Sequence, residues 1–247
     1  MDIHVALAPE HLGTFFGIPV TNSLVMGWIV VAILLTVGFF VGRNVRLIPG
    51  KVQNFFEMIF EFVIDYMEST LGSRALAIKY FPLIMSIFLF IVTANLLDFF
   101  PFIGSIGIQH EGHFVPLLRP MNTDLNVTLA LAIIAFFVIE ITGIIMLGFL
   151  RYGSKFVNLK QGVMGFMVGI MELIGNLARL VSFSFRLFGN IFAGEILIAV
   201  AIAFLPLFLP VPLMLFETFV GVMQAAIFAL LTLAFIKIAI SEPHESH

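Results

Sequence analysis

Long apolar runs dominate the chain, and their lengths carry the first information. Leu24–Val41, Tyr80–Phe100 and Leu125–Leu150 approach or exceed the roughly 20 residues that a membrane-crossing helix needs. They predict spans over 24–42, 80–100 and 125–150, after an outer segment 1–23. A β-barrel would instead alternate in segments of about ten residues. Two longer runs follow, 161–205 and 213–240, joined through Pro206-Leu-Phe-Leu-Pro210-Val-Pro212. A straight helix over 161–205 would be roughly 65 Å long against about 30 Å of hydrocarbon. That segment must bend, tilt steeply or double back as a hairpin. Lys51–Glu68 is patterned differently: Val52, Phe55, Phe56, Ile59, Phe60, Val63 and Met67 recur at helical spacing beside an acidic stripe of Glu57, Glu61, Asp65 and Glu68. The spacing predicts an amphipathic helix over 51–71 on the inner membrane surface, opened by Pro49-Gly50 and closed by Gly72. Its acidic side is either a solvated face or a docking surface for a partner. The expected fold is all-α and polytopic, a single integral membrane domain over 1–247 with about five crossings.

Composition agrees with the pattern. Of 247 residues, 61% are hydrophobic and 11% charged, whereas soluble domains carry about 25% charge. The absence of cysteine excludes disulfides, thiolate metal sites and cysteine catalysis. A net charge of −3 with no basic face excludes nucleic acid as a partner. Basic residues cluster at alternate connections: Arg43, Arg46 and Lys51, with Arg74 and Lys79, then Arg151, Lys155 and Lys160, and finally Lys237. The loop 101–123 holds only Arg119. This alternation predicts an outside N-terminus and an inside C-terminus. Met1–Val20 has Asp2 and Glu10 and no basic residue, so it does not read as a cleaved leader.

The candidate chemistry lies in the two long runs. Between Gln161 and Pro206 the only charged residues are Glu172, Arg179, Arg186 and Glu195. A charge in mid-membrane costs about 2.5–3.5 kcal/mol on insertion scales, and ions kept at that cost mark ion paths, relays and counter-ions. On a helix, Glu172, Asn176, Arg179, Arg186 and Asn190 share roughly an 80° stripe, and Glu195 lies about 140° from Asn190. In the last helix Glu217 and Gln224 share a face with Gly221. Antiparallel packing would bring Glu195 near Glu217. Buried carboxyls exchange protons near neutral pH, while arginine stays charged and relays none. The set therefore reads as a path plus a gate. Plainer roles compete: Arg179 reaching the interface along its stem, Glu195 as partner of another buried polar group, and Gln224 bridging helices. Glu140 either lines an inner aqueous path or bonds one helix to another. Gly165-x-x-x-Gly169 permits close packing, and His110-Glu-Gly-His113 reads as a solvated outer loop.

Arg186-Leu-Phe-Gly-Asn-Ile-Phe-Ala-Gly-Glu195 resembles the central signature of subunit a of the F-type ATP synthases. Asn95-Leu-Leu-Asp98-Phe-Phe-Pro101, Asp124-Leu-Asn126-Val-Thr128 and Glu217 with Gln224 extend the resemblance in order over Leu24–Ile240. The resemblance implies a stator beside a rotating ring of small hairpin c subunits. It also implies b-type peripheral stalk subunits, membrane lipid and, indirectly, the catalytic head as partners. Arg186 matches the arginine that faces the ring carboxylate. Asn190, Glu195, Glu217 and Gln224 match the outer half-channel. Ser182 and Glu172 match the inner side, where Glu140 is grouped with them. Glu217 departs from a common bacterial pattern with histidine there. No cofactor, metal or catalytic residue is expected. A secondary transporter would show inverted repeats or paired broken helices, and an intramembrane enzyme would show a nucleophile–base pair or a metal motif; the sequence displays neither.

Overall fold

The computed structural model describes residues 9–15, 17–43, 45–98, 100, 103, 106–110, 113–154, 162–206 and 208–241. The chain opens with a hairpin of β1 (His11–Phe15) and β2 (Ile18–Thr21), followed by α1 (Asn22–Arg43), α2 (Lys51–Leu71) and α3 (Arg74–Leu97). A second hairpin, β3 (Gly107–His110) and β4 (His113–Pro116), leads through a 3-10 turn at Met121–Thr123 into α4 (Leu125–Leu147). Then come the five-residue α5 (Phe149–Gly153), α6 (Gly162–Phe204) and α7 (Pro210–Ile240). Helices α1, α3, α4, α6 and α7 are long and apolar enough to cross a membrane. The architecture is all-α and polytopic, as its apolar periodicity predicts.

The structure sharpens several boundaries. The overlong run is one 43-residue helix, so the hairpin alternative falls. Helix α3 begins at Arg74, six residues before the expected Tyr80. Gly72 adopts a left-handed φ of 77° and turns α2 into α3. Across that turn Arg74 bonds Asp65 (2.9 Å) and Glu68 (3.1 Å) and lies 3.6 Å from Glu61. Part of the acidic stripe is thus engaged within the chain, although exposed pairs of this kind add little stability. Helix α4 stops at Leu147 because Gly148 (φ 83°, ψ 149°) redirects the chain. The two hairpins were invisible to periodicity because strands of four or five residues are too short to display it.

Small residues set how closely the helices approach. Ala132 and Ala135 of α4, Ala94 of α3 and Ala225 of α7 are fully buried. Lipid tails are as apolar as the side chains, so association in a bilayer depends on such close packing and on polar contacts. One core joins Ile87, Ile91, Ala132, Phe183, Leu187 and Phe228 from α3, α4, α6 and α7. Within it the Phe183 ring stands 4.9 Å from that of Phe228 and 5.6 Å from that of Phe235. A second core packs Met67 and Leu71 of α2 on Tyr80, Ile139 and Leu233. Val52, Phe55, Met58 and Phe62 of α2 remain exposed, leaving much of its apolar side for lipid. The third core, Met26, Val30, Ala94 and Met121, seats α1.

Polar ties fix the end of the bundle near the 3-10 turn. Asn95 Nδ2 donates to Gly221 O (2.9 Å), and Asn122 Nδ2 donates to Asn95 Oδ1 (2.6 Å). Ser23 Oγ donates to Asp124 Oδ2 (2.6 Å), while Asp124 Oδ1 caps α4 by accepting from the Asn126 N–H (2.9 Å). Replacing Asn95 with Ala removes the second bond to the Gly221 carbonyl, which α7 itself already engages, and leaves the Asn122 amide without its acceptor. The expected loss is about 1–3 kcal/mol, read as an earlier midpoint when the isolated subunit is unfolded by SDS in mixed micelles.

Candidate functional site

Helices α3, α6 and α7 and the loop before α4 line a partly open cavity of about 140 Å³. Asn95, Asp98, Thr123, Glu195 and Glu217 provide its polar wall, and Ile191, Ile198, Met214 and Pro120 complete it. Glu217 is on the buried face of α7 together with Gly221 and Gln224, one turn apart each. Its carboxyl passes directly over Gly194 of α6, where a Cβ would collide with it. That close approach brings Glu195, on the opposite side of α6 from Arg186, into the same cavity. Both oxygens of Asp98, Oε2 of Glu195 and Oε1 of Glu217 are buried without hydrogen-bond partners. Buried carboxyl oxygens are normally paired, so this space suits waters and exchangeable protons. Asp98 lies just past α3; burial above all, then the charges of Glu195 and Glu217, holds its carboxyl well above the ordinary carboxylate range. Arg119 is buried nearby and its charge acts on Glu195.

On α6, Asn190 Nδ2 donates to Gln224 Oε1 (2.9 Å), bringing together two residues predicted to share a site. Arg186, one turn away, is half-buried, and its Nη2 donates to Ser182 Oγ at 3.3 Å. Among the described residues no carboxylate pairs with this guanidinium. The surrounding α6 surface is exposed and includes small residues, Ala178, Ser182 and Ala193. A Cβ built at Gly189 meets nothing within 4 Å. The guanidinium thus stands on an open stretch of α6 that mixes these small residues with exposed Val181 and Phe185.

The remaining predicted residues lie toward the other end of α6. Asn176 Nδ2 donates to Glu140 Oε1 (3.1 Å), and the Tyr152 hydroxyl donates to Glu140 Oε2 (2.8 Å). Glu140 therefore does bond one helix to another. Burial, followed by the bond to Glu140, raises the Tyr152 phenol, which keeps it a donor. The Arg179 guanidinium stacks 4.6 Å over the Phe235 ring, a cation–π contact that accounts for its depth in the bundle. Glu172 is half-buried on the same stretch. The side chains of His110 and His113 lie outside the described residues; their backbones pair across the β3–β4 hairpin.

Sequence reasoning assigned no role to Asp98, Asn95, Arg119 or Tyr152. A carboxylate at the end of an apolar run, before Phe-Phe-Pro, was the available signal for Asp98. Nothing in the sequence pointed to Tyr152.

A polytopic helical protein with partnerless acids around a cavity and an arginine in mid-span belongs among ion-translocating membrane proteins. Residues 24–237 match the family of the ATP synthase A chain, and the chain belongs to that family. It is 35% identical over 217 residues to ATP synthase subunit a 2 of Syntrophotalea carbinolica, covering 88% of this chain and 85% of the relative. It is 33% identical over 252 residues to ATP synthase subunit a of Mycobacterium marinum, covering 98% and 96%. It is 31% identical over 245 residues to the protein of Propionigenium modestum named ATP synthase subunit a, sodium ion specific, covering 95% and 79%. The chain is thus a membrane-embedded stator subunit of ATP synthase, active in ion translocation and not catalytic alone.

The contact at Gly194 yields a direct test. Gly194→Ala pushes the Glu217 carboxyl out of its position in the cavity. ATP-driven ion pumping by vesicles carrying this variant should fall several-fold with subunit assembly intact.

Proposed function

We propose that this subunit offers two offset proton half-channels to a rotating ring of small hairpin c subunits, separated by Arg186. What supports the reading is that, among the described residues, no carboxylate pairs with Arg186, which faces an open surface of α6. A charge so placed is costly in an apolar medium unless something offsets it, and a carboxylate on a moving neighbour would do so.

The outer half-channel runs through Glu217, Glu195, Asn190 and Gln224, with Asp98 added from the cavity. Acids there take up protons from outside and pass them to the ring carboxylate. A neutralised ring site can face lipid because its desolvation cost has fallen. After nearly a full turn, the proton leaves through the inner half-channel at Ser182 and Glu172, which Glu140 borders. Arg186 favours the ionised ring site and blocks direct leakage, since a guanidinium relays no proton. The membrane potential supplies about 2.3 kcal/mol per charge per 100 mV. Three carboxyls with partnerless oxygens around the cavity favour protons as the ion carried.

The same reading sets the surroundings. The N-terminus is outside and the C-terminus cytoplasmic in a bacterial plasma membrane, consistent with the basic residues at alternate connections. The exposed apolar side of α2 rests on the inner lipid surface, and b-type stalk subunits join the stator to the catalytic head.

The complex purified in mild detergent should contain the ring, the stalk and the head; their absence sinks the assignment. Arg186→Ala should abolish ATP-driven proton pumping while passive leak through the membrane sector persists or rises, and normal pumping would refute the gate. Glu195→Gln should lower proton flux measured with sodium omitted. Unchanged flux removes Glu195 from the path.

A further inference from the structure

Glu140 stands in α4 with both carboxyl oxygens engaged, one by Tyr152 of α5 and one by Asn176 of α6. The local backbone is arranged to deliver the first of these donors. Gly148, with a φ of 83°, ends α4 and turns the chain into α5. Tyr152 then folds back, buried, with its ring against Gly143, where a Cβ would collide with it. Gly143 is one turn from Glu140, so the seated ring aims its hydroxyl at the carboxyl. On the other side, Asn176 is buried at a point where α6 exposes Met171, Leu173, Ile174 and Leu177. Apolar contacts between helices in lipid limit separation, but they specify register weakly; directional bonds specify it. The next polar tie between these helices, Thr128 with Ser184 at 3.2 Å, lies two turns further along α6.

We propose that Glu140, Tyr152 and Asn176 form a latch that fixes α6 against α4 and thereby sets where Arg186 stands. Glu140 is a positioning residue beside the inner half-channel and carries no proton itself. The latch rests on the proposed function only for what Arg186 does; the geometry it imposes can be read separately. Fully occupied acceptor oxygens distinguish Glu140 from Glu195 and Glu217, each of which keeps a partnerless oxygen.

The test uses the complete complex in vesicles, with Glu140→Gln, Glu140→Ala and Tyr152→Phe. The chain has no cysteine, so spin labels at Ile145→Cys and Leu177→Cys, both exposed, report the α4–α6 distance. With Glu140→Gln the amide oxygen accepts from the Tyr152 hydroxyl, and the amide nitrogen donates to Asn176 Oδ1, which has no partner in the present arrangement, once the Asn176 amide turns over. Pumping should therefore stay near that of the unaltered chain and the distance distribution should stay narrow. Glu140→Ala and Tyr152→Phe should broaden the distribution and reduce pumping several-fold. Tyr152→Phe keeps the ring on Gly143, so it provides the answer if Glu140→Ala does not assemble. Loss of pumping in Glu140→Gln to the level of Glu140→Ala would overturn the proposal, because the carboxyl would then be carrying protons. A narrow, unchanged distribution in Glu140→Ala or Tyr152→Phe would overturn it equally. Arg186→Ala, run in parallel, tests the gate alone; pumping in that variant refutes the gate and leaves the distances to judge the latch.

Discussion

In a medium without water, a polar group is either paired within the protein or waiting for something to arrive. This constraint organises the molecule. Asn95 with Asn122 and Gly221, Ser23 with Asp124, Thr128 with Ser184, Asn190 with Gln224, and Glu140 with Tyr152 and Asn176 are paired, and each joins separate elements. Asp98, Glu195 and Glu217 keep partnerless oxygens, and Arg186 has one long bond to a hydroxyl. The paired groups hold the frame, and the acids with free oxygens gather at one cavity.

The frame is made close enough for this by what its side chains lack. Gly194 leaves room for the Glu217 carboxyl, Gly143 for the Tyr152 ring, and Gly221 brings its backbone to Asn95, whose Cβ would lie 3.0 Å from a Cβ added there. A bundle packed through larger residues would separate α6 from α7 and divide the acids that now share one cavity. Here the composition of the helix faces and the chemistry of the site have the same origin.

Helical period made much of this legible in the sequence. The run of polar residues on α6 and the Glu217–Gln224 face of α7 follow from counting positions, and their meeting follows from antiparallel packing. Asp98 escaped that logic because it lies outside α3, and its neighbours Glu195 and Glu217 come from distant parts of the chain. Tyr152 escaped because a five-residue helix has no period and Gly148 alone decides its direction. The continuity of α6 was likewise undecided by its sequence: scattered glycines and a length beyond the bilayer permit a break or a hairpin as readily as one unbroken helix.

That continuity has a mechanical consequence. Asn176 and Arg186 are ten residues apart, about 15 Å along the axis. One degree of pivot at Asn176 would displace Arg186 by about 0.3 Å and Glu195 by about 0.5 Å. With Glu140 as the proposed anchor, its bond to Asn176 is the point about which α6 would pivot. A modest loosening there is magnified with distance, so substitutions far from the guanidinium can detune its alignment without touching it.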